Sequence, residues 1–450
     1  MRLVFLTPGT GSYYCGVCMR DNALVKALVA RGEDALLLPA YLPLTLEETA
    51  ATPAAPVFFG GLRVYLQQCW PWVSRLPEGW LRRLDHPAIL RFLGRFSGMT
   101  RGSEVGELTW SMLRGEEGVQ SAEVAKFVDW MRREAGAGVV WLSTGLLSGV
   151  ARRIQGELGI PVLASLQGED SFLDSLPEPW RSRCWEEMAL RCGELKGLVA
   201  PSHFFAREME RRMGFEPGRI GVVPNGMSLE GYTVRETEPS PTVGYLARLS
   251  RGKGVGAVVD AFLELRRRGK VPGARLMCVG TCIAEDEPFL KELRGRIRAE
   301  GLEGEVEFYA NVTREEKVRL LQGFSLLSVP AMYGEAFGLY LIEAMACGVP
   351  VVQPVTAAFP EIVEATGGGV LVSDDSPQRL AEAWEALLLE PGRAREIGLR
   401  GRQSVERAYS IEAMAQVFLE LSRAAVEKRE RVKVGSVEVG VVKADARSGN

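Results

Sequence analysis

Two glutamates, Glu335 and Glu343, stand eight positions apart in YGEAFGLYLIEAMACGVPVV, an otherwise apolar stretch from Tyr333 to Val352. Glutamate is rarely buried without a partner. A helix that begins near Gly338 would point its unpaired N–H groups at an anion, and the two carboxylates would accept hydroxyl groups on either side of it. Upstream, RLSRGKG places Arg248 and Lys253 five positions apart, with Gly252 and Gly254 flanking the lysine. Fixed positive charge and backbone amides in a turn between a strand and a helix make a place for phosphate. Gly280-Thr281 marks another turn of this kind at a strand end. Each piece alone also fits a blander pattern. Glu335 would cap a helix, Glu343 would form a surface salt bridge, and Arg248 and Lys253 would sit in a solvated turn.

The first half carries a second set of reactive types. PGTGSYYCGVCMRDNAL follows an apolar run and holds Gly9, Gly11 and Gly16, a flexible loop before a helix with Asp21 or Asn22 as its start. GTGSYYCG misplaces the last glycine of a dinucleotide fingerprint, which argues against an NAD-type oxidoreductase. Cys15 and Cys18 have dithiol spacing. A zinc site would need two more ligands, and Cys184/Cys192 and Cys278/Cys282 are poorly spaced to supply them. Two small residues packing under a loop is the simpler reading. In SLQGEDSF, Gln167, Glu169 and Asp170 follow a strand end. Glu169 or Asp170 fits an acceptor ligand or base, while Asp170 equally fits a first-turn acid. His203 is read as starting a helix. His86 is the other of only two histidines, which disfavours a His-based zinc site or a Ser-His-Asp triad.

These residues need elements to hold them. With 450 residues the chain is too long for one compact core, so two domains are expected. Hydrophobic residues are 46%, charged residues 25% and the net charge −3. That is an ordinary globular mix with no general attraction to nucleic acid. The scattered cysteines and the absence of a long apolar run suit a reduced, cytoplasmic protein. Short apolar strands alternate with amphipathic helices. Strands are predicted at Leu3–Thr7, Ala35–Pro39, Gly138–Leu142, Pro161–Leu166 and Gly197–Ala200, with helices at Ala23–Arg31 and Leu147–Leu158 among them. A polar, two-proline segment at 229–242 reads as a linker. A second series follows, with strands at Thr242–Ala247, Ala274–Gly280, Val306–Tyr309, Ser325–Val329, Val349–Pro354 and Gly369–Val372. Helices fall at Val255–Arg268, Glu287–Glu300 and Arg314–Gln322. The expectation is α/β: two doubly wound Rossmann-like domains facing across a cleft, with ligands beyond the C-terminal strand ends. Their limits are 1–230 and 243–408. A helix at 409–431 packs back on the first domain, and 432–450 form a tail.

VGYLARLSRGKG, SVPAMYGEAFGLYLIEAMACGVPVV and VVPNGMSLE resemble retaining glycosyltransferases of family 4, which have the GT-B fold. The resemblance runs in order over nearly the whole chain and is strongest at 220–370. It implies that Arg248 and Lys253 bind the donor diphosphate, that Glu335 contacts the transferred sugar and that Glu343 accepts the ribose hydroxyls. It also implies that Phe337, Gly338 and Leu339 offer backbone amides to the distal phosphate. The backbone at Ala310–Val312, including Asn311 and Val312, would hold the base, and Gly11, Gly254 and Gly280 would line the donor site. Gln167, where relatives often carry histidine, would lie on the acceptor side with Glu169, Asp170 and His203.

The resulting expectation is transfer of a hexosyl group from a UDP-, GDP- or ADP-sugar to a hydroxyl acceptor, with retention and no required metal or other cofactor. A phosphorylase, a sugar-nucleotide epimerase and a non-catalytic sugar-nucleotide binder are the alternatives. Leu62–Arg101 combines Trp70, Trp72, Trp80, Phe92 and Phe96 with seven arginines and only Glu78 and Asp85 as acids. That mixture suits an anionic membrane surface, an acceptor groove, or core aromatics beside solvated arginines.

Overall fold

A computed structural model describes residues 1–9, 16–46, 48–52, 57, 102–235 and 239–427. Gly11, Cys15, the Leu62–Arg101 stretch and the tail at 432–450 lie outside these residues. The chain forms two compact units. One is Met1–Gly226 with the helix Ile411–Glu427, and the other is Met227–Ser410.

The first unit is built on six parallel strands: β1 (Arg2–Thr7), β2 (Ala35–Pro39), β3 (Ala137–Leu142), β4 (Val162–Ser165), β5 (Gly197–Ala200) and β6 (Gly221–Val222), in the order β2-β1-β3-β4-β5-β6. Leu3–Thr7, Val139–Leu142 and Val162–Ser165 are buried along their lengths. Continuous apolar runs of this kind arise when helices cover both faces of a sheet. The helix Ile411–Glu427 supplies part of that cover. The Phe418 ring packs, tilted, with its centre 4.5 Å from that of Trp141 and 6.1 Å from that of Phe5, and the Trp141 indole N–H donates to Ser422 Oγ at 2.8 Å.

The second unit repeats the plan with β7 (Thr242–Leu246), β8 (Arg275–Gly280), β9 (Val306–Ala310), β10 (Leu326–Leu327), β11 (Val351–Pro354) and β12 (Gly369–Val372), all parallel, in the order β12-β11-β10-β7-β8-β9. In both sheets the chain winds outward in two directions from its first strand. The segments leaving β7 and β10 therefore diverge although the strands are neighbours, and the same holds for β1 and β3. Such a switch point opens a crevice at the carboxyl ends of the strands.

Some local expectations shift. The first described helix is Gly16–Ala30, so Asp21 and Asn22 lie inside it and are buried. Neither is free to cap it: Asp21 is held by Arg20 and Ser143, and Asn22 by Thr49 and Ala51. The helix expected at Leu147–Leu158 is a 3-10 turn, Gly145–Val150, followed by an α-helix, Ala151–Leu158. The turn is tightened by Thr144, whose side chain accepts from the Leu146 amide. β10 is shorter than its apolar run because the chain leaves the sheet toward Pro330, which has no N–H to offer. Tyr232, in the segment read as a linker, is buried within the second unit.

Candidate functional site

The site in the second unit begins with the turn after β7. Tyr245 is fully buried, and its hydroxyl reaches the carbonyl oxygens of Arg248 and Lys253 at 2.8 and 3.2 Å, fixing both ends of the basic turn. A short 3-10 turn, Arg251–Lys253, ends at Gly254 with φ +79°, and helix Val255–Arg268 follows. Gly254 is required twice. Its positive φ disfavours side chains. A Cβ there would also stand 2.0 Å from the Pro330 carbonyl oxygen. The Met332 amide donates to the Gly252 carbonyl at 3.0 Å, so the segments leaving β7 and β10 are joined. Gly280, at the end of β8, approaches equally closely: a Cβ would lie 1.7 Å from the Ala247 carbonyl oxygen.

This geometry brings Lys253 and Glu335 together. Lys253 Nζ lies 2.5 Å from Glu335 Oε2, and the Tyr340 hydroxyl donates to the same oxygen at 3.1 Å. Both charged side chains are largely sheltered, 21% and 14% exposed. Burial is the largest single influence and works against the ammonium charge, but Glu335 and Tyr333 together outweigh it and lift Lys253 above the ordinary lysine value. The ammonium also lies 4.8 Å from the Tyr333 ring centre, within range of a cation–π attraction. Arg248 is 46% exposed and turns one edge to Asp286, with Nε donating to Oδ2 at 2.8 Å and Nη2 to Oδ1 at 3.2 Å. Asp286 is buried and also accepts from the Ile283 amide.

Gly338 has φ +89° and precedes the helix Leu339–Ala346. The first amides of that helix have no intrahelical acceptor. Phe337 is 3% exposed and its ring packs 6.0 Å from Tyr409, so only its backbone can meet a ligand. Glu343 lies on the same helix. Its Oε1 accepts from the Tyr232 hydroxyl at 2.8 Å and pairs with Lys317 Nζ at 2.9 Å. Asn311 adopts φ +56° and clamps the neighbouring turn: its Oδ1 accepts from the Cys282 amide and its Nδ2 donates to the Cys282 carbonyl, at 3.1 and 3.0 Å. The Asn311 side chain is thereby committed to this turn.

In the first unit a polar network joins the first helix to the segments that follow β3, β4 and β6. Arg20 is buried, pairs with Asp21 and donates to Ser165 Oγ and Asn225 Oδ1 at 3.1 Å. Gln167 donates to Ser165 Oγ and accepts from Asn225 Nδ2. Glu169 is 3% exposed, with both oxygens engaged: Oε1 by Thr144 Oγ1 and the Gly145 amide, Oε2 by the Gln167 and Gly168 amides. Its carboxylate is spent on shaping the loop. Asp170 is half-buried, and burial pushes its carboxyl above the ordinary aspartate value. His203 is exposed at the start of helix His203–Met213, which Ser202 caps through the Phe205 amide.

Sequence reasoning missed Asp286, Tyr232, Lys317 and Tyr340. Only Tyr340 left a signal, a tyrosine inside the helix that carries Glu343.

The family model for Glycosyl transferases group 1 matches residues 234–404, and that for Glycosyltransferase Family 4 matches residues 109–230. Both models are of glycosyltransferases, in keeping with the family 4 resemblance. Its α/β architecture is the GT-B fold. Among curated relatives, a D-inositol 3-phosphate glycosyltransferase of Segniliparus rotundus is 28% identical over 61% of this chain and 63% of its own. A GDP-mannose-dependent alpha-(1-6)-phosphatidylinositol monomannoside mannosyltransferase of Mycobacterium tuberculosis is 31% identical over 41% of this chain and 47% of its own. The chain thus spans less than two thirds of the length of these two relatives. Among solved structures, a sucrose-phosphate synthase from Thermosynechococcus elongatus aligns over 94% of this chain and 99% of its own, at 18% identity and a TM-score of 0.68. Anabaena HepE in complex with UDP-glucose aligns over 94% and 100%, at 19% identity and 0.61. No helix among the described residues is long and apolar enough to cross a membrane.

Proposed function

We propose that this protein transfers a hexosyl group from a nucleotide diphosphate sugar to a hydroxyl acceptor, with retention at the anomeric carbon and without a required metal. The observation that carries the reading is the Lys253–Glu335 pair at the β7/β10 switch point, followed in the chain by the helix start at Gly338 and, on that helix, Glu343. Lys253 has three N–H donors and gives one to Glu335, which leaves others for phosphate oxygens. Arg248, oriented by Asp286, keeps its outer edge for the same anion. The amides after Gly338 meet the distal phosphate. Glu335 takes hydroxyls of the sugar, and Glu343 takes those of the ribose.

In the reaction the anomeric C–O bond to the diphosphate breaks and its electron pair stays with the phosphate. The acceptor oxygen bonds to the same face, and its proton passes to a phosphate oxygen of the leaving group. Lys253 and Arg248 stabilise the charge that gathers there, the part a divalent ion plays in other transferases.

A panel of UDP-, GDP- and ADP-hexoses, monitored for nucleoside diphosphate release with and without hydroxyl acceptors, tests this. Release with one donor, unchanged by EDTA, and an α-linked product from an α-linked donor are expected. Donor binding with no turnover on any acceptor would leave a sugar-nucleotide binder instead. The aromatic and basic residues of Leu62–Arg101 suit a peripheral contact with anionic lipid at the inner face of a membrane. No flotation with anionic liposomes at low salt would remove that part of the reading.

A further inference from the structure

The two glutamates are held in the same way by different parts of the chain. Among the described residues, Glu335 meets its partners, Lys253 and the Tyr340 hydroxyl, through Oε2. Among the same residues, Glu343 meets Lys317 and the Tyr232 hydroxyl through Oε1. Each carboxylate therefore meets one lysine and one tyrosine through a single oxygen. Glu335 Oε1 and Glu343 Oε2 accept no hydrogen bond among the described residues. The lysine offsets the cost of a sheltered carboxylate, and a lysine alone would do that in many orientations. A tyrosine hydroxyl on a rigid ring fixes the rotation of the carboxylate. Both rings are buried, Tyr232 4% and Tyr340 7% exposed. Burial, reinforced by the adjacent glutamate, pushes both phenols well above their ordinary value, so they remain protonated donors.

Resting on the donor-site reading above, we propose that Tyr340 and Tyr232 are positioning residues that make each glutamate present one oxygen to the donor, Glu335 to the hexose and Glu343 to the ribose. The two tyrosines then act on different parts of one ligand. Tyr232 governs how tightly the nucleoside portion is held. Tyr340 governs how the sugar is placed for transfer.

The test uses the full chain with Tyr232→Phe and Tyr340→Phe, and isothermal titration with UDP, GDP and ADP and their 2′,3′-dideoxy counterparts. The nucleoside diphosphate that binds the unmodified protein should bind Y232F about tenfold more weakly, the cost of one hydrogen bond to a charged group. Its dideoxy form should bind both proteins alike, because the ribose contact is already missing. Y340F should bind the nucleoside diphosphate within about twofold of the unmodified protein yet lose about tenfold or more in kcat with the sugar donor. A purely structural role would lower the unfolding temperature without this split between ligands. If Y232F does not fold, Lys317→Gln gives the same ribose-dependent comparison. Equal ribose preference in Y232F and the unmodified protein, or full turnover by Y340F, would overturn the proposal while leaving the donor site intact. Failure of the unmodified protein to bind any of the three diphosphates would remove the donor-site reading and this proposal together.

Discussion

Replacing Lys253 with alanine should separate what the lysine does for the fold from what it does for the reaction. The ammonium sits 2.5 Å from Glu335 Oε2 with both side chains mostly sheltered. Removing one partner of a fully buried pair costs about 3–5 kcal/mol, mainly from the charge left behind. Here some solvent reaches the site and Tyr340 still donates to Glu335, so the loss should be about 1–3 kcal/mol. For a unit of this size that lowers the unfolding temperature by roughly 2–10 °C. Turnover should fall much further, by about 100–1,000-fold, because a fixed donor no longer meets the charge developing on the diphosphate. The double variant Lys253→Ala/Glu335→Gln relieves the unpaired carboxylate. It should recover most of the stability and none of the turnover. Scanning calorimetry and nucleoside diphosphate release would read the two effects. Near-normal turnover in Lys253→Ala would refute the assignment of the lysine. Stability that does not return in the double variant would refute the account of the pair.

Other residues give independent checks. At Gly254 the backbone has φ +79°, and a Cβ would stand 2.0 Å from the Pro330 carbonyl oxygen. Gly254→Ala should therefore destabilise the second unit by about 1–3 kcal/mol and weaken donor binding, read by thermal unfolding and titration. Glu169→Gln should lower the stability of the first unit by about 2–3 kcal/mol, since an amide nitrogen cannot accept from the donors that now meet the carboxylate. A stable but inactive Glu169→Gln would instead make this residue an acceptor ligand or base. Glu385 is lowered from its ordinary 4.5 to about 2 by hydrogen bonds from Arg268 and then Lys270. A depressed carboxyl contributes stability above pH 4.5 that is lost as pH falls toward about 2. Thermal unfolding of the unmodified protein should therefore drop more steeply over that window than that of Glu385→Gln, and parallel curves would count against the ion-pair account.

The strand–helix rhythm of the second unit was legible in the sequence because its strands are short, mostly apolar runs, with β8 ending at Gly280 and Arg248 following closely on β7. Val255–Arg268 and Arg314–Gln322 fall where the pattern puts them, the latter with Thr313 as its cap. The glutamate pair, the basic turn and Gly338 were legible for the same reason: they lie close in sequence at strand ends. Their partners were not. Tyr232 meets Glu343 across 111 positions, and Arg248 meets Asp286 across 38. Such pairs are set by which strands become neighbours, and no local pattern encodes that. Asn311 shows the same limit from the other side. Its place at a strand end could be read from the sequence, but its side chain is occupied by Cys282, a contact between the turns after β8 and β9. Glu169 could be read as an acid near a strand end, and only its four hydrogen bonds in the fold show where its charge goes.

The most direct measurement is a crystal structure of the protein with its nucleotide diphosphate sugar bound. The account predicts phosphate oxygens within hydrogen-bond reach of Lys253 Nζ and the Arg248 guanidinium, hexose hydroxyls at Glu335 Oε1 and ribose hydroxyls at Glu343 Oε2. A donor seated elsewhere, with those four side chains turned away from it, would contradict the account.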